Sequence, residues 1–180
     1  MKKMMKTLAA VVCCTMVSMV FTACNKSDDD PTPEKKVKFT YALTVKAATG
    51  ADDQQEVIKT VLTTPNYTGE METTEFSEFL EALTKQPGAD FTEVPNMCTI
   101  TIDETLLPDA NLSEKEKYSV GLYYKLEVTS MDENGGILDY KGVEDDPKMT
   151  IKAEKLAQAY PQKTTLTFTV DKDGKIAIRQ

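Results

Sequence analysis

Two stretches of strict two-residue alternation constrain this chain more than anything else in it. From Val37 to Lys46, the apolar Val37, Phe39, Tyr41, Leu43 and Val45 alternate with Lys38, Thr40, Ala42, Thr44 and Lys46. From Tyr118 to Thr129, every second position is Tyr118, Val120, Leu122, Tyr124, Leu126 or Val128. Successive side chains of an extended strand point to opposite faces, so each segment buries one face and wets the other. That is the signature of antiparallel sheets with one solvated side. Shorter copies of the pattern occur at Met97–Asp103, with Cys98, Ile100 and Ile102 on one face, and at Leu166, Phe168 and Val170 between threonines. Asn134-Gly135-Gly136 offers the positive-φ residues of a tight turn, so Ile137–Lys141 is expected to return as a hairpin partner. Asp171-Lys172-Asp173-Gly174 predicts a second hairpin, closed by Ile176 and Ile178.

Helical spacing interrupts the strands. Phe76, Phe79, Leu80 and Leu83 follow the i, i+3, i+4, i+7 stripe, with Thr73 or Thr74 as cap and Pro87-Gly88 as stop, which predicts a helix over 74–86. A second helix is expected over 147–160, with Asp146 as cap, Pro147 in the first turn, and Met149, Ala153, Leu156, Ala157 and Tyr160 on its buried side. Ser113-Glu114-Lys115-Glu116 reads as a capping box opening a single helical turn. Residues 55–63 fit either element, and their β-branched content favours a strand. The expected fold is mainly β (α+β), an antiparallel immunoglobulin-like β-sandwich with one or two inserted amphipathic helices.

The N-terminus is organised differently. Lys2, Lys3 and Lys6 precede an apolar run from Leu8 to Val20, with no acid before Asp28, which is the layout of an export signal. The run is interrupted by Thr15 and Ser18 and is short for a membrane span of about 20 residues. Phe21-Thr22-Ala23-Cys24 resembles the lipobox of bacterial lipoproteins, with Phe21 where that family usually has Leu. The resemblance implies cleavage after residue 23 and a diacylglycerol and N-acyl lipid on Cys24, with Cys13 and Cys14 leaving in the signal. Ser27-Asp28-Asp29-Asp30 is similar to the acidic export signal of surface lipoproteins of the Bacteroidota, which implies the outer face of the outer membrane; a periplasm-facing position is the alternative. Residues 24–36 then form an acidic, hydrated tether of at most about 40 Å, and residues 37–180 a single domain. The Tyr-containing first strand and the closing aspartate-glycine hairpin also resemble small uncharacterised surface lipoproteins of gut Bacteroidota.

Charge and composition exclude several functions. Losing residues 1–23 removes three of 21 basic residues and none of 29 acidic ones, moving the formal charge from −8 to −11. No basic patch is available for nucleic acid or for electrostatic adhesion to an anionic membrane, which leaves the lipid as the membrane contact. The chain has no histidine, so triads and zinc hydrolases in their usual forms are excluded. Once Cys24 is acylated, Cys98 is the remaining thiol, expected to be buried and inert. No cofactor and no metal motif is expected; Asp171-Lys172-Asp173-Gly174 lacks the further ligands of a full calcium loop. Without tryptophan, ligand stacking would fall to Tyr67, Tyr123 and Tyr140. The expected function is a non-catalytic binding or accessory module with a protein or glycan partner. The alternatives are a carboxylate-dependent glycoside hydrolase, which needs two acids converging in an aromatic-lined pocket, and a structural subunit of a fimbria-like assembly.

Overall fold

The structure is a computed structural model that describes residues 37–83 and 96–180. The export segment, Cys24 and Ser27, Asp28, Asp29 and Asp30 lie outside the described residues.

The domain is an antiparallel β-sandwich with two short helices. Strand β1 (Lys38–Ala47) leads to helix α1 (Gln54–Val57), then β2 (Ile58–Thr63), β3 (Thr68–Glu70), β4 (Glu75–Leu83) and β5 (Asn96–Leu106). There follow β6 (Lys117–Val120), β7 (Leu122–Met131), β8 (Ile137–Asp145), β9 (Met149–Lys152), helix α2 (Ala153–Ala159), β10 (Gln162–Val170) and β11 (Ile176–Arg179). One sheet has the order β4-β1-β7-β8, the other β11-β10-β5-β2-β3, and β6 pairs β9 in a small third sheet.

The alternation in β1 does what its period requires: Val37, Phe39, Tyr41, Leu43 and Val45 are all buried. They meet Leu122, Tyr124, Leu126 and Val128 from β7 and Leu62, Ile100, Ile102, Leu166 and Phe168 from the facing sheet. Phe168 lies edge-on to Phe39 at 5.9 Å and tilted against Tyr41 at 5.4 Å between ring centroids, which ties the two sheets together. Each such buried side chain contributes roughly 1.5–3 kcal/mol of transfer free energy.

The helix expected over 74–86 is instead strand β4 in its described part. It pairs with β1 from Lys38↔Leu83 to Lys46↔Glu75. A helix of about 13 residues is marginal on its own, whereas β1 presents a full row of backbone groups on this side, and each one left unpaired and buried would cost free energy. Ladder formation therefore outweighs the helical stripe. Phe76, Glu78 and Leu80 turn inward, and Phe79, which the helical reading had buried, is 66% exposed.

The helix expected over 147–160 is also shortened. Met149–Lys152 forms β9, with Tyr118↔Ile151 and Val120↔Met149 in register with β6, and only Ala153–Ala159 is helical. Asp146 caps no helix; its Oδ1 accepts from the Thr49 amide at 3.0 Å. The β-branched Thr150 and Ile151 favour the strand that β6 templates. Ser113 begins no helical turn: Asn111 is the pivot there, its Oδ1 accepting from Ser113 Oγ at 2.7 Å and its Nδ2 donating to Glu114 Oε1 at 2.9 Å. The ambiguous 55–63 region holds the end of α1 and all of β2.

The long strand expected over 118–129 breaks at Gly121, although its six apolar side chains are all buried. A Cβ at Gly121 would lie 2.0 Å from the Pro147 carbonyl oxygen, so only glycine lets the β8–β9 connection pass this close. The break passes the chain from the small sheet into the large one. Both hairpins form: Asp132 Oδ1 accepts from the Gly136 amide at 2.7 Å, and Asp171 Oδ1 accepts from the Asp173 and Lys175 amides at 2.9 and 2.8 Å.

Candidate functional site

Two places hold chemistry that folding alone does not use: the solvent face of the four-stranded sheet, and a cavity at one end of the sandwich.

On the solvent face, β-pairing builds rows across four strands. Phe79, Ala42, Glu127 and Gly142 form one row, and Glu81, Thr40, Thr129 and Tyr140 the next. The centre carries Thr40, Ala42, Thr129 and Glu127, while Phe79 stands on the β4 edge and Tyr140, 52% exposed, on the β8 edge. The surface between these two exposed aromatics is here termed the trough. Its polar content is organised: the Tyr140 hydroxyl donates to Glu127 Oε1 at 2.5 Å, and Lys125 Nζ lies 3.1 Å from Glu127 Oε2. The Tyr140 hydrogen bond first, and then Lys125, hold the Glu127 carboxyl below the usual range. Tyr123 is at one corner of the same face, with Lys46 Nζ 5.1 Å above its ring and its hydroxyl donating to Glu144 Oε1 at 3.1 Å.

Of the three tyrosines singled out for stacking, Tyr123 and Tyr140 thus share a face and Tyr67 does not. Tyr67 leans on Phe76, 4.9 Å between centroids, and its hydroxyl donates to the Glu70 carbonyl at 2.6 Å. It closes the β3–β4 side of the core. Alternation in β7 was sufficient to place Tyr123 outward. Phe79 was missed because the helical stripe concealed its strand register.

The cavity, about 90 Å³, opens where β5, β7, β8 and β10 end against β9 and α2; Glu104, Leu122, Tyr124, Asp145, Met149 and Tyr160 are among the residues that line it. Glu104 is 7% and Tyr160 5% exposed. Gln54 Nε2 donates to Glu104 Oε1 at 2.7 Å, and Gln54 Oε1 accepts from the Gly121 amide at 2.8 Å. Burial pushes the Glu104 carboxyl above its ordinary value, partly offset by the Gln54 hydrogen bond. Burial, and then the nearby Glu104, push the Tyr160 phenol up as well. At the rim Asp145 is exposed and accepts from the Tyr124 hydroxyl at 3.4 Å, and Gln180 Nε2 donates to that hydroxyl at 3.0 Å. Glu104 had a readable signal: it continues the inward series Cys98, Ile100, Ile102 by the same period.

A second inward acid, Glu78, accepts from the Tyr41 hydroxyl and from Thr64 Oγ1, the latter at 2.5 Å; burial raises its carboxyl above the ordinary value. Cys98 faces inward as its register predicts, but is only half-buried, and burial pushes its thiol up, away from the reactive thiolate. Among the described residues no three His, Cys, Asp or Glu side chains gather as a metal site, and no helix is long and apolar enough to cross a membrane.

Comparison with known proteins found no significant match to a family model, a curated protein or a solved structure.

Proposed function

We propose that this chain is a lipid-anchored protein of the outer-membrane surface that holds a macromolecular partner and catalyses nothing. The address rests on Phe21-Thr22-Ala23-Cys24 and the Ser27-Asp28-Asp29-Asp30 that follows it. The binding half rests on one observation, the exposed aromatics Phe79 and Tyr140 on one sheet face among polar side chains, an arrangement that a partner's apolar side chains can cover. Two exposed aromatics with a paired Lys125–Glu127 between them suit a protein partner, whose own apolar side chains would pack on the rings while its polar groups meet the charged pair.

The carboxylate-hydrolase alternative has its two acids, Glu104 and Asp145, beside two tyrosines in one cavity. At about 90 Å³ that cavity is well below the roughly 300–1,000 Å³ of ordinary ligand pockets, which disfavours a site that must surround a sugar and its leaving group. A fimbria-like role finds little support in the C-terminal hairpin, where β11 is paired to β10 on one side and packed beside β8.

Protease shaving of intact cells tests the address. The domain should be digested from outside in the wild type and protected when Asp28, Asp29 and Asp30 are changed to alanine; a wild-type domain that resists shaving ends the surface reading. Cross-linking from a photoreactive residue placed at Phe79 tests the binding half. One discrete protein adduct, lost on Tyr140→Ser, is expected; no adduct on cells from which the domain is readily shaved would refute it.

A further inference from the structure

The cavity at the end of the sandwich carries an inference independent of the trough. Glu104 has one oxygen held by Gln54, and its second makes no hydrogen bond. The Tyr160 hydroxyl also makes none, although the residue is only 5% exposed. No buried side-chain nitrogen or oxygen among the described residues is both sealed and unpaired. These two oxygens are therefore open to space, and the space they line is this cavity. A carboxylate oxygen and a phenol hydroxyl that face a cavity without a protein partner keep their hydrogen-bonding capacity for whatever enters it.

We propose that this cavity binds an organic ammonium group, a primary or methylated amine with two or three carbons behind it. The unspent groups at the bottom accept hydrogen bonds and supply negative charge, and exposed Asp145 places a second negative charge at the rim. None of the described lining residues is Lys or Arg. Leu122, Pro147 and Met149 supply apolar wall that suits methylene or methyl groups, and the polar Gln162 and Thr164 line the cavity as well. A volume of about 90 Å³ is that of about three waters, the size of a short alkylammonium head. A bare metal ion fits worse, since a hard cation collects six or more oxygens and no three Asp, Glu, Cys or His side chains among the described residues gather here. The same chemistry is offered by a free small amine and by a lysine side chain of a partner protein.

The test is a titration of the full chain, followed by NMR of the Leu122 and Met149 methyl groups, with propylammonium chloride, tetramethylammonium chloride, a lysine-containing peptide capped at both ends, and sodium chloride as the ionic control. Saturable shifts are expected with propylammonium and not with sodium. Glu104→Gln keeps the shape and removes the charge, and should weaken binding about tenfold or more. Tyr160→Phe removes only the hydroxyl and should weaken it by about threefold to tenfold, which keeps the proposal testable if the Glu104 variant misfolds. Phe79→Ser should change nothing, because it lies on the other site. Tighter binding of the peptide than of propylammonium assigns the ligand to a partner's lysine, and the reverse to a free amine. Absence of saturation with every amine, equal shifts from sodium, or unchanged affinity in both Glu104→Gln and Tyr160→Phe overturns the proposal.

Discussion

The space between the two large sheets and the region beneath α1, α2, β6 and β9 are both buried, yet they are built by different means. The first is filled by strand residues at every second position, from Phe39 and Tyr41 to Leu166 and Phe168. Its backbone groups are satisfied by the ladders themselves, so its side chains need do nothing but fill volume. The second gathers Val57, Ile58, Tyr118, Val120, Leu156 and Tyr160 from short elements that cannot complete one another's hydrogen bonds. Side chains replace the missing ladder: Asp53 Oδ2 accepts from the Ser119 amide at 2.6 Å, and Gln54 bridges Glu104 and Gly121. Lys115, and then the Ser119 amide, hold the Asp53 carboxyl below its ordinary value. A region held by polar side chains has polar atoms left over, and that is where the cavity lies.

The comparison can be broken by truncation. Phe168→Ala should cost about 3–5 kcal/mol, seen as a large fall in the denaturant midpoint, because β1 loses the ring that Phe39 and Tyr41 pack against. A cost close to that of a surface change would mean that the sheets are not joined through this ring. Gln54→Ala should cost about 1–3 kcal/mol, the penalty of an unpaired buried carboxyl and amide, and amide exchange should rise first at β6 and β9, with β1 and β7 remaining protected. Uniform acceleration would show that the end region is no separate cooperative unit.

A smaller effect separates the sheet interior from its margin through pH. Glu78 has its folded pKa raised above 4.5 by burial. The folded state therefore holds this proton more tightly than the unfolded chain, and the associated stability is complete below about that value and lost as pH rises through the folded pKa. Glu78→Gln should gain stability relative to the wild type between acidic and neutral pH; parallel stability–pH curves would remove Glu78 from the balance. The smallest effect is expected at the trough. Phe79→Ser should change stability by no more than about 0.5 kcal/mol, as for other surface positions, and a larger loss would mean that Phe79 is part of the fold and not free for a partner.

How much of this was legible follows from the same contrast. Alternation marks a strand wherever one face is buried and one is wet, so β1, β7, β10 and the inward set of β5 were readable, and Glu104 with them. It failed at β4, where Phe76, Phe79, Leu80 and Leu83 satisfy a helical period by coincidence, and at 147–152, where Met149 fitted a helix that begins only at Ala153. In both places the deciding partner, β1 or β6, is distant in sequence. The trough was half legible: Tyr123 and Tyr140 were singled out, but their shared face depends on the β7–β8 register, and Phe79 on that of β4 with β1.

Taken alone, the amino-acid order determined the antiparallel β class and the two hairpins, because period and turn residues are local and need no partner to be read. Only the tertiary structure decided which segments became strands by templating, and which polar groups came together unspent. Glu104 and Tyr160 are 56 residues apart by their numbers, and nothing local in either signals the other. Their meeting at one cavity is a product of strand pairing and of a glycine at 121 that lets the chain pass close enough to form it.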